Sequence, residues 1–279
     1  MKTTILDGKA CAEAIRNELQ SKIKDSGLSP TLSIVYIGDD PASAVYIRNK
    51  LEASKKVGIR SSLYQFDSIS TEEVTEFIKT DLKEESGVIV QLPIPTTLDR
   101  ERVLDSISPS QDVDGLHPLN IGRRALGDPK AFWPCTPLGC IELLDRYKID
   151  LAGLHAVVIG RSNLVGRPVA ALLEMRNSTV TLAHSRSTPL SRFTRDADLI
   201  VAATGRPKMI TAEMIKEGAI VLDVGINQGP DGKLCGDVDF DNVKNKCSYI
   251  SPVPGGIGPM TVAELLVNTF NSESRKLRK

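Results

Sequence analysis

The sequence has few of the residues from which metal centres and disulfide frameworks are built. It contains five cysteines and three histidines in 279 residues. No C-x-x-C pair and no zinc-ligand spacing of histidines occurs. These absences argue against a disulfide scaffold and a catalytic metal, and they favour reduced thiols in a cytoplasmic protein.

Charge of one sign and long apolar runs are missing as well. Lysine plus arginine and aspartate plus glutamate number 35 each, which argues against a nucleic acid as the main partner. No apolar run is long enough to span a bilayer, and the first residues lack the apolar stretch of a secretory signal. We therefore expect neither a nucleic-acid nor a membrane partner.

Predicted strands and helices alternate along the chain. The run Thr31–Ile37 is apolar and lies between turn residues, which predicts a short buried strand. Asp40 follows as a predicted N-cap and Pro41 as the first residue of a helix. Gly58 supplies a stop for this helix. The further predicted helices are 8–25, one after residues 70–71, 137–147 and one from 261 to the C-terminus; the further predicted strands are 61–66, 87–92, 155–160, 179–183, 198–202, 219–224 and 248–253.

This order of elements is typical of α/β architecture with parallel strands. A length of 279 residues predicts two domains, and the polar stretch 108–120 is interpreted as the connection between them. We expect a three-layer α/β domain over residues 1–120 and a Rossmann-like α/β domain over 121–260. The helix over 261–279 is expected to pack back on the first domain.

A loop typical of nucleotide binding follows the buried-strand pattern His155–Ile159. Gly160 permits a tight turn, and Gly166 allows the next helix to approach the strand closely. A helix that begins near Val165 would direct its free N–H groups and positive dipole end toward a pyrophosphate. The middle glycine of G-x-G-x-x-G is absent, so an ordinary strand–helix turn stays open as the alternative.

The next predicted strand ends without the acid that NAD-binding domains use. Such domains place Asp or Glu about 20 residues on, where it binds the ribose 2′-hydroxyl. Here the strand leads to Ser185 and Arg186 instead. These two residues and Arg161 can bind a 2′-phosphate, which a carboxylate would repel. The pattern favours NADP over NAD, and two solvated surface arginines are the alternative.

Two further turns in this half follow predicted strands. Thr204 and Gly205 come after the strand at 198–202, and Ile226 lies in the Gly-Ile-Asn sequence after the strand at 219–224. Open α/β sheets bind ligands at the carboxyl ends of their strands. Each turn alone fits an ordinary connection, but their recurrence favours a dinucleotide-binding domain.

A tyrosine and a lysine stand one helical turn apart in the first half. Tyr46 and Lys50 are i,i+4 neighbours, and Ser43 falls within the same sector of the predicted helix. A lysine that is partly desolvated at the edge of a core can lose its proton near neutral pH and shuttle protons. The alternative is a snorkelling surface lysine beside a half-buried tyrosine.

Three other segments carry polar or rigid residues at positions that suit a ligand. Gln91 ends an otherwise apolar strand, where a polar side chain needs a partner. Asp114 and Asp112 lie in an irregular segment, where an acid could bind the amidine-like edge of a pterin or only cap a turn. The block 252–259 is dense in proline and glycine, which suits either a rigid floor for a flat ligand or a linker to the last helix.

With these residues in view, the chain resembles the bifunctional methylenetetrahydrofolate dehydrogenase/cyclohydrolase family from its first helix nearly to its C-terminus. The resemblance rests on several blocks in the family's order. They are 38–50 (GDDPASAVYIRNK), 90–95 (VQLPIP), 112–115 (DVDG), 134–139 (PCTPLG), 158–166 (VIGRSNLVG), 225–227 (GIN), 236–238 (GDV) and 252–261 (PVPGGIGPMT).

The resemblance implies a reaction, a cofactor and an assembly. The family oxidises 5,10-methylenetetrahydrofolate with NADP and hydrolyses the methenyl product to 10-formyltetrahydrofolate. Residues 1–120 would then form the folate-binding catalytic domain and 121–260 the NADP-binding domain. The family is typically a homodimer built through its nucleotide domains.

The resemblance also implies roles for single residues. Lys50 matches the catalytic lysine needed for hydrolysis, and Tyr46 the ring that packs on the aminobenzoyl group of the folate. Gln91 matches the glutamine that hydrogen-bonds the lysine, and Asp114 the acid that holds the pterin. The segments implied to line the substrate are Tyr46, Ile47, Arg48, Asn49 and Lys50, then Val90, Gln91 and Leu92, then Asp114, then Pro252, Val253, Pro254, Gly255 and Gly256.

The expected cofactor contacts combine the resemblance with the local sequence. The resemblance implies Gly160, Arg161, Ser162, Ser185 and Ile226, and the local sequence adds Arg186, Thr204 and Gly205. One departure from the family is visible, because many relatives carry a lysine immediately before Asp-Val-Asp-Gly where this chain has Gln111.

Other functions fit part of the pattern. Short-chain dehydrogenases also use Tyr-x-x-x-Lys, but their pair follows the glycine loop, whereas Tyr46 precedes Gly160 by more than a hundred residues. A dehydrogenase without hydrolase activity, one that uses NAD, and a non-catalytic folate- or nucleotide-binding regulator stay open. The presence of Lys50 together with Gln91 speaks against the regulator.

Overall fold

The structure, a computed structural model, describes residues 2–229 and 232–276. The chain forms two compact units: a six-stranded unit of residues 1–12 and 136–261, and a three-stranded unit of residues 13–135 and 262–279. In chain order the elements are β1 (Thr4–Ile5), α1 (Gly8–Ser26), β2 (Thr31–Ile37), α2 (Pro41–Val57), β3 (Arg60–Phe66), α3 (Thr71–Thr80), β4 (Gly87–Val90), α4 (Arg100–Asp105), α5 (Pro118–Ala125), α6 (Cys135–Arg146), β5 (His155–Ile159), α7 (Gly166–Met175), β6 (Thr179–Ala183), α8 (Ser191–Thr194), β7 (Leu199–Ala202), a 3-10 turn (Ala212–Met214), β8 (Ile220–Asp223), β9 (Asn227–Gln228), β10 (Leu234–Cys235), α9 (Phe240–Val243), β11 (Tyr249–Ile250) and α10 (Ile257–Lys276).

The three-stranded unit is built on a parallel sheet in the order β3-β2-β4. Alternate residues of the central strand β2 enter two different hydrophobic clusters. Leu32, Ile34 and Tyr36 pack with residues of α1, α2 and α10, whereas Val35 and Ile37 pack with residues of α3 and α4. Because successive side chains of a strand point to opposite faces, helices cover both faces of the sheet. The expected three-layer α/β architecture is therefore confirmed.

Helix α2, which carries Tyr46 and Lys50, has well-defined ends. At its start the Asp40 carboxylate accepts a hydrogen bond from the Ser43 backbone N–H at 2.8 Å, and Pro41 occupies the first turn. Gly58 ends the helix in the left-handed conformation, with φ +89°. The predicted cap, first residue and stop are all confirmed. The Ser43 hydroxyl also donates to Asp40, so this side chain serves the cap.

The polar stretch 108–120 is an integral part of the three-stranded unit and not an external connection. Val88 of β4 donates its N–H to the Gln111 carbonyl at 2.9 Å, so this stretch extends the sheet beside β4. Asn120 is fully buried. Three of the polar side chains that suggested a connection, those of Gln111, Asp112 and Asn120, are instead buried and hydrogen-bonded, which composition alone did not reveal.

The six-stranded unit contains a parallel sheet in the order β1-β11-β8-β7-β5-β6. From β5 the chain moves outward to the edge strand β6 and then returns past β5 to β7. The connections that follow β5 and β7 therefore run in opposite directions, and this switch point is where open α/β sheets bind ligands. The expected Rossmann-like nucleotide architecture is confirmed in this unit.

The boundaries of the units differ from the predicted division at residue 120. Strand β1, too short to be recognised in the sequence, pairs with β11 and so joins the N-terminal residues to the six-stranded sheet. At the other end, Leu265 and Leu266 of α10 belong to the core of the three-stranded unit, so the C-terminal helix does return to it. Residues 277–279 of the predicted helix lie outside the described residues.

Three short helices (α4, α8 and α9), helix α5 and the hairpin β9–β10 were not predicted from the sequence. Within the described ranges, no helix combines the length and apolarity needed to cross a membrane.

Candidate functional site

Lys50 and Gln91 form the centre of a polar site in the three-stranded unit. The Lys50 Nζ donates a hydrogen bond to Gln91 Oε1 at 2.9 Å, and Gln91 Nε2 donates to the Leu92 carbonyl at 2.8 Å. Lys50 comes from α2 and Gln91 follows β4, so helix and strand end together hold the pair. Because its carbonyl oxygen faces the amine, Gln91 orients Lys50 without adding charge.

The surroundings of Lys50 favour the loss of its proton. Burial lowers the pKa of the Lys50 ammonium below its ordinary value, while the charge of Asp114 acts in the opposite direction. Burial also raises the pKa of Asp114, against the attraction of Lys50 and hydrogen bonding from Cys135. Desolvation thus destabilises the charged forms of both groups, the Lys50 ammonium and the Asp114 carboxylate.

The backbone around Asp114 is held on both sides by packing and hydrogen bonds. The preceding residue, Val113, accepts hydrogen bonds on its carbonyl from Asn268 Nδ2 at 2.8 Å and from the Cys135 thiol at 3.3 Å. The following residue, Gly115, has φ +64° and no room for a Cβ against the backbone of Trp133. Its carbonyl accepts a hydrogen bond from the Arg124 guanidinium at 2.9 Å.

Asp112 fixes the same loop from within. Its carboxylate accepts hydrogen bonds from the Leu116 and His117 N–H groups, both at 2.9 Å, and from Asn120 Nδ2 at 2.8 Å. Burial raises the pKa of Asp112 to about 6. Its carboxylate is fully engaged in the loop, which leaves Asp114 as the acid with capacity for a ligand.

The predicted substrate-lining residues on α2 and β4 differ in accessibility. Tyr46 is 39% exposed, and Arg48 and Asn49 are exposed as well. In contrast, Ile47 and Val90 are each 3% exposed and belong to hydrophobic clusters. Their side chains are part of the core, because their position on the element turns them inward.

The proline–glycine block lies in the six-stranded unit and is not an extended linker. Gly255 has φ +103° and accepts a hydrogen bond on its carbonyl from the Lys9 N–H at 3.0 Å. A Cβ on Gly256 would stand 2.5 Å from the Pro252 carbonyl oxygen, so the block folds back on itself. Helix α10 begins directly after it at Ile257. Pro252 and Val253 line a cavity of about 520 Å³ together with Lys208, Gly236 and other residues of the same unit.

The loop after β5 has the tight geometry that its glycines predicted. Gly160 has φ +125°, and a Cβ there would overlap the carbonyl oxygen of Ala203 at the end of β7. A Cβ on Gly166 would overlap the Gly160 carbonyl. The Ser162 hydroxyl accepts hydrogen bonds from the Val165 and Gly166 N–H groups at the start of α7, at 3.1 and 3.4 Å. Strand, loop and helix therefore meet as closely as a dinucleotide loop requires.

Most of the predicted cofactor residues line a single cavity of about 450 Å³ at the switch point. Gly160, Arg161 and Ser162 come from the loop after β5, Ser185 from the loop after β6, and Thr204 from the loop after β7. Arg186, Gly205 and Ile226 are not among its lining residues. The sequence did not indicate Arg206 and Met209, which line it as well, because neither belongs to a recognisable motif.

The cavity suits a dinucleotide that carries an extra phosphate. Arg161, Ser162, Ser185 and Arg186 are exposed. In the part of the chain that the structure describes, the Arg161 and Arg186 guanidinium groups form no ion pair with a carboxylate. Two free cations and a hydroxyl beside a glycine loop are able to bind a 2′-phosphate.

Comparison with known families identifies both halves of the chain. Residues 6–114 match the family model for the tetrahydrofolate dehydrogenase/cyclohydrolase catalytic domain. Residues 134–277 match the model for the tetrahydrofolate dehydrogenase/cyclohydrolase NAD(P)-binding domain. The chain belongs to the tetrahydrofolate dehydrogenase/cyclohydrolase family.

Individual members of this family match over their whole length. The chain is 47% identical to the bifunctional protein FolD of Bacillus subtilis over 283 residues, which covers 99% of this chain and all of that protein. The crystal structure of the bifunctional enzyme FolD from Campylobacter jejuni is 45% identical and superposes with a TM-score of 0.95 over 98% of this chain and 99% of that one. The structure of the Trypanosoma brucei enzyme, complexed with NADP cofactor and inhibitor, is 34% identical with a TM-score of 0.93 over both full chains.

The residue that departs from the family pattern, Gln111, does not interact with Asp114. Gln111 is buried, and its Nε2 donates to the Leu82 and Glu85 carbonyls, both at 2.7 Å. The side chain is thus directed to the segment after α3. The substitution leaves the Lys50–Gln91–Asp114 group of this tetrahydrofolate dehydrogenase/cyclohydrolase chain intact.

Two residues beside the family's acidic loop were not predicted from the sequence. Cys135 is fully buried next to Asp114, and burial raises the pKa of its thiol well above the ordinary range. Asn268 is 5% exposed and donates to the Val113 and Trp133 carbonyls. No distinct signal in the sequence marks Asn268, because Glu264, Thr269 and Ser272 of the same helix are polar and buried as well.

Proposed function

We propose that this protein oxidises 5,10-methylenetetrahydrofolate to the methenyl compound with NADP⁺ and then hydrolyses the product to 10-formyltetrahydrofolate. The observation that carries the proposal is the Lys50–Gln91 hydrogen bond of 2.9 Å beside Asp114. It supplies a lysine poised for proton transfer in a unit that matches the catalytic-domain model. The alternative of a regulator without turnover has no need of such a lysine.

Lys50 acts in the hydrolytic step as a proton carrier. A water oxygen forms a bond with the electrophilic bridge carbon, and the neutral Lys50 amine takes up a proton from that water. The bond from the bridge carbon to one folate nitrogen then breaks, and its electron pair stays on that nitrogen. Lys50 Nζ returns a proton to the nitrogen, while the proton of the remaining hydroxyl leaves to solvent. One proton is released overall, which balances the cation and water consumed.

Tyr46 and Asp114 are proposed to position the folate. The half-exposed Tyr46 ring offers a face for the aminobenzoyl group, and Asp114 a carboxylate for paired hydrogen bonds with the pterin edge. Gln91 keeps the Lys50 amine oriented while the lysine takes up a proton from water and returns one to the folate nitrogen. Arg48, Asn49, Leu92 and the block Pro252–Gly256 are proposed as further substrate contacts.

The six-stranded unit is proposed to bind NADP. When bound, this cofactor supplies a hydride acceptor. The glycine loop 160–166 offers close backbone approach and the N-terminus of α7 to the pyrophosphate. Arg161, Ser185 and Arg186 are proposed to bind the 2′-phosphate, which would make NADP preferred over NAD. The residues present fit the cofactor.

The first experiment is an ultraviolet absorbance time course of the purified protein with 5,10-methylenetetrahydrofolate, run with NADP⁺ and separately with NAD⁺. Reduced NADP without accumulation of the methenyl chromophore is expected. Persistent methenyl product would leave only a dehydrogenase. No signal with either nucleotide would contradict catalysis and favour a binding protein.

The role of Lys50 is tested by Lys50→Met with Lys56→Met as a matched control. Both lysines lie on α2, but Lys56 is exposed near its C-terminal end. Lys50→Met is expected to lower hydrolysis of the methenyl substrate by at least about 100-fold, a typical contribution of general acid–base catalysis. Lys56→Met is expected to hydrolyse at the wild-type rate. Full hydrolysis by Lys50→Met would refute the assigned role.

We further propose a cytoplasmic homodimer built through the six-stranded units. Strand β6 forms one edge of its sheet. Leu182 on this strand is 36% exposed, and Met175, at the end of the helix that packs on it, is 54% exposed. An unpaired edge with apolar side chains is suited to a second copy. Light scattering should give the mass of a dimer, and Leu182→Lys should shift it toward the monomer; a wild-type monomer would contradict the proposal.

A further inference from the structure

The loop after β7 directs three consecutive backbone N–H groups at one carboxylate. Asp237 Oδ2 accepts hydrogen bonds from the Thr204 and Gly205 N–H groups, the latter at 3.1 Å. Asp237 Oδ1 accepts from the Arg206 N–H and from Asn227 Nδ2, both at 2.9 Å. Asp237 is fully buried. All of these groups lie in the six-stranded unit.

A second carboxylate, Asp223, holds Asp237 in place. Asp223 terminates β8 and accepts hydrogen bonds from the Asp237 and Val238 N–H groups, both at 2.9 Å, and from the Gly225 N–H at 3.0 Å. Two acids therefore connect three segments: the loop after β7, the turn after β8 that contains Ile226, and the segment 236–238.

Two glycines make room for these acids. A Cβ on Gly225 would overlap the Asp237 carboxylate, and a Cβ on Gly236 would overlap the Asp223 carboxylate. Gly225 opens the Gly-Ile-Asn block and Gly236 the Gly-Asp-Val block. The glycine that opens each block is thus explained by the space that a carboxylate occupies.

Converging backbone N–H groups of this kind form an anion-binding concavity, which in many proteins takes a phosphate. Here the chain's own carboxylate fills it. Thr204 and Arg206 line the cavity at the switch point together with Gly160, so the filled turn forms part of its wall. The turn cannot donate these N–H groups to a cofactor phosphate at the same time.

We propose that Asp237, supported by Asp223, is a positioning residue of the nucleotide site. Asp237 accepts the hydrogen bonds of the three N–H groups in the 204–206 turn and so holds this turn rigid. The turn then forms a fixed wall that positions the cofactor. Thr204, which lines the cavity, then contacts the cofactor through its side chain or carbonyl and not through its N–H group. The inference rests on the proposed NADP site and deepens it.

The test compares Asp237→Asn with Asp241→Asn. Asparagine keeps the shape and one acceptor oxygen, but its NH2 group faces the other N–H donors, which then have no acceptor. NADP binding by calorimetry is expected to weaken by about tenfold or more in Asp237→Asn. The KM for NADP should rise more than kcat falls. Hydrolysis of methenyltetrahydrofolate without nucleotide, which depends on Lys50 of the three-stranded unit, should fall by a smaller factor than the NADP affinity.

The control, Asp241, is an exposed acid that pairs with Lys244 at 2.9 Å and does not line the switch-point cavity. Asp241→Asn is expected to bind NADP as the wild type does. Wild-type affinity in Asp237→Asn would overturn the inference while leaving the proposed function in place. Failure of the wild-type protein to bind NADP would instead refute the proposed function.

Amide hydrogen exchange on the unaltered protein gives a second reading in case Asp237→Asn fails to fold. The N–H groups of Thr204, Gly205 and Arg206 are expected to be protected already without nucleotide and to gain little protection from NADP. Fast exchange that becomes slow only after NADP is added would show that these groups serve the cofactor, and would overturn the inference.

Discussion

At the scale of single residues, the proposed hydrolysis depends on the protonation state of Lys50. Burial lowers the pKa of its ammonium group, and the neutral Gln91 amide orients the amine without restoring the charge. A lysine with a lowered pKa carries more neutral amine at pH 7–8, which is the form that accepts a proton from water. The glutamine is therefore suited to this step in a way that an acid at the same position is not.

Gln91→Glu tests this reasoning with nearly unchanged shape. A carboxylate about 3 Å from Nζ should raise the pKa of Lys50, so that the pH–rate profile of hydrolysis moves to higher pH. Activity at pH 7.5 should fall about tenfold or more. The profile is measured between pH 6 and 9 after subtraction of the uncatalysed rate. Gln65→Glu, an exposed glutamine on β3, is the control. An unmoved profile in Gln91→Glu would contradict the role of Lys50 as proton acceptor.

Asp112 makes the stability of the three-stranded unit depend on pH. Burial raises the pKa of this carboxyl from 3.8 to about 6, so the folded chain holds the proton more tightly than the unfolded chain. The contribution of protonated Asp112 to the free energy of unfolding is fully present at pH below 3.8 and is lost as the pH rises through 6. The loss amounts to about 3 kcal/mol at most. In Asp112→Asn, the unfolding temperature should fall less between pH 4 and 6.5 than in the wild type.

The control for Asp112→Asn is Asp105→Asn, which removes an exposed carboxyl at the end of α4. Its unfolding temperature should follow the wild-type pH dependence. The same dependence in Asp112→Asn and in the wild type would mean that the Asp112 carboxyl titrates near its ordinary pKa in the fold.

At the scale of elements, the sequence was informative where periodicity and caps agree. Strand β2 and helix α2 have the predicted bounds, because an apolar run and an Asp-Pro start with a glycine stop are local signals. Strand β1 has two residues and gains its conformation from pairing with β11. Helix α5 lies in a stretch whose polar residues suggested a connection. Both depend on contacts distant in sequence, which no local pattern records.

The same difference between local signals and distant contacts decided which site residues the sequence predicted. Lys50, Gln91 and Asp114 were expected from residue chemistry and resemblance, and Gly160 from the turn that it permits. Asn268, Cys135 and Asp237 were not, since each acts by holding the backbone of another segment. Positioning residues of this kind are recognised from hydrogen bonds in the fold and not from their neighbours in sequence.

The turn between β5 and α7 allows a direct test of backbone geometry. Gly160→Ala would place a Cβ against the Ala203 carbonyl at φ +125°, so the turn must move and NADP binding should weaken by about tenfold or more. The control, Gly122→Ala, lies inside α5 with open space for a Cβ. It should leave NADP binding unchanged and raise the free energy of unfolding slightly, by about 0.5–1 kcal/mol. Equal NADP affinity of both variants would contradict the tight-turn account.

At the scale of the whole molecule, the C-terminal helix is part of the core of the three-stranded unit. Leu266 of α10 is fully buried in the cluster that contains β2 and α2 residues. Leu266→Ala should lower the free energy of unfolding of this unit by about 2–5 kcal/mol. The exposed Leu119, at 46% exposure, provides the control, since Leu119→Ala should change stability by less than about 0.5 kcal/mol. Differential scanning calorimetry measures both, and equal shifts would show that α10 is not core.

The return of α10 to the three-stranded unit also bears on how the protein is made. Residues 13–135 leave the ribosome before residues 136–261, but the part of their core that Leu265 and Leu266 supply is synthesised only after the whole six-stranded unit. Strand β1 similarly cannot pair until β11 has been synthesised. Neither unit can therefore complete its core during synthesis. The nascent chain therefore exposes an apolar face of the three-stranded sheet until helix α10 (Ile257–Lys276) has emerged.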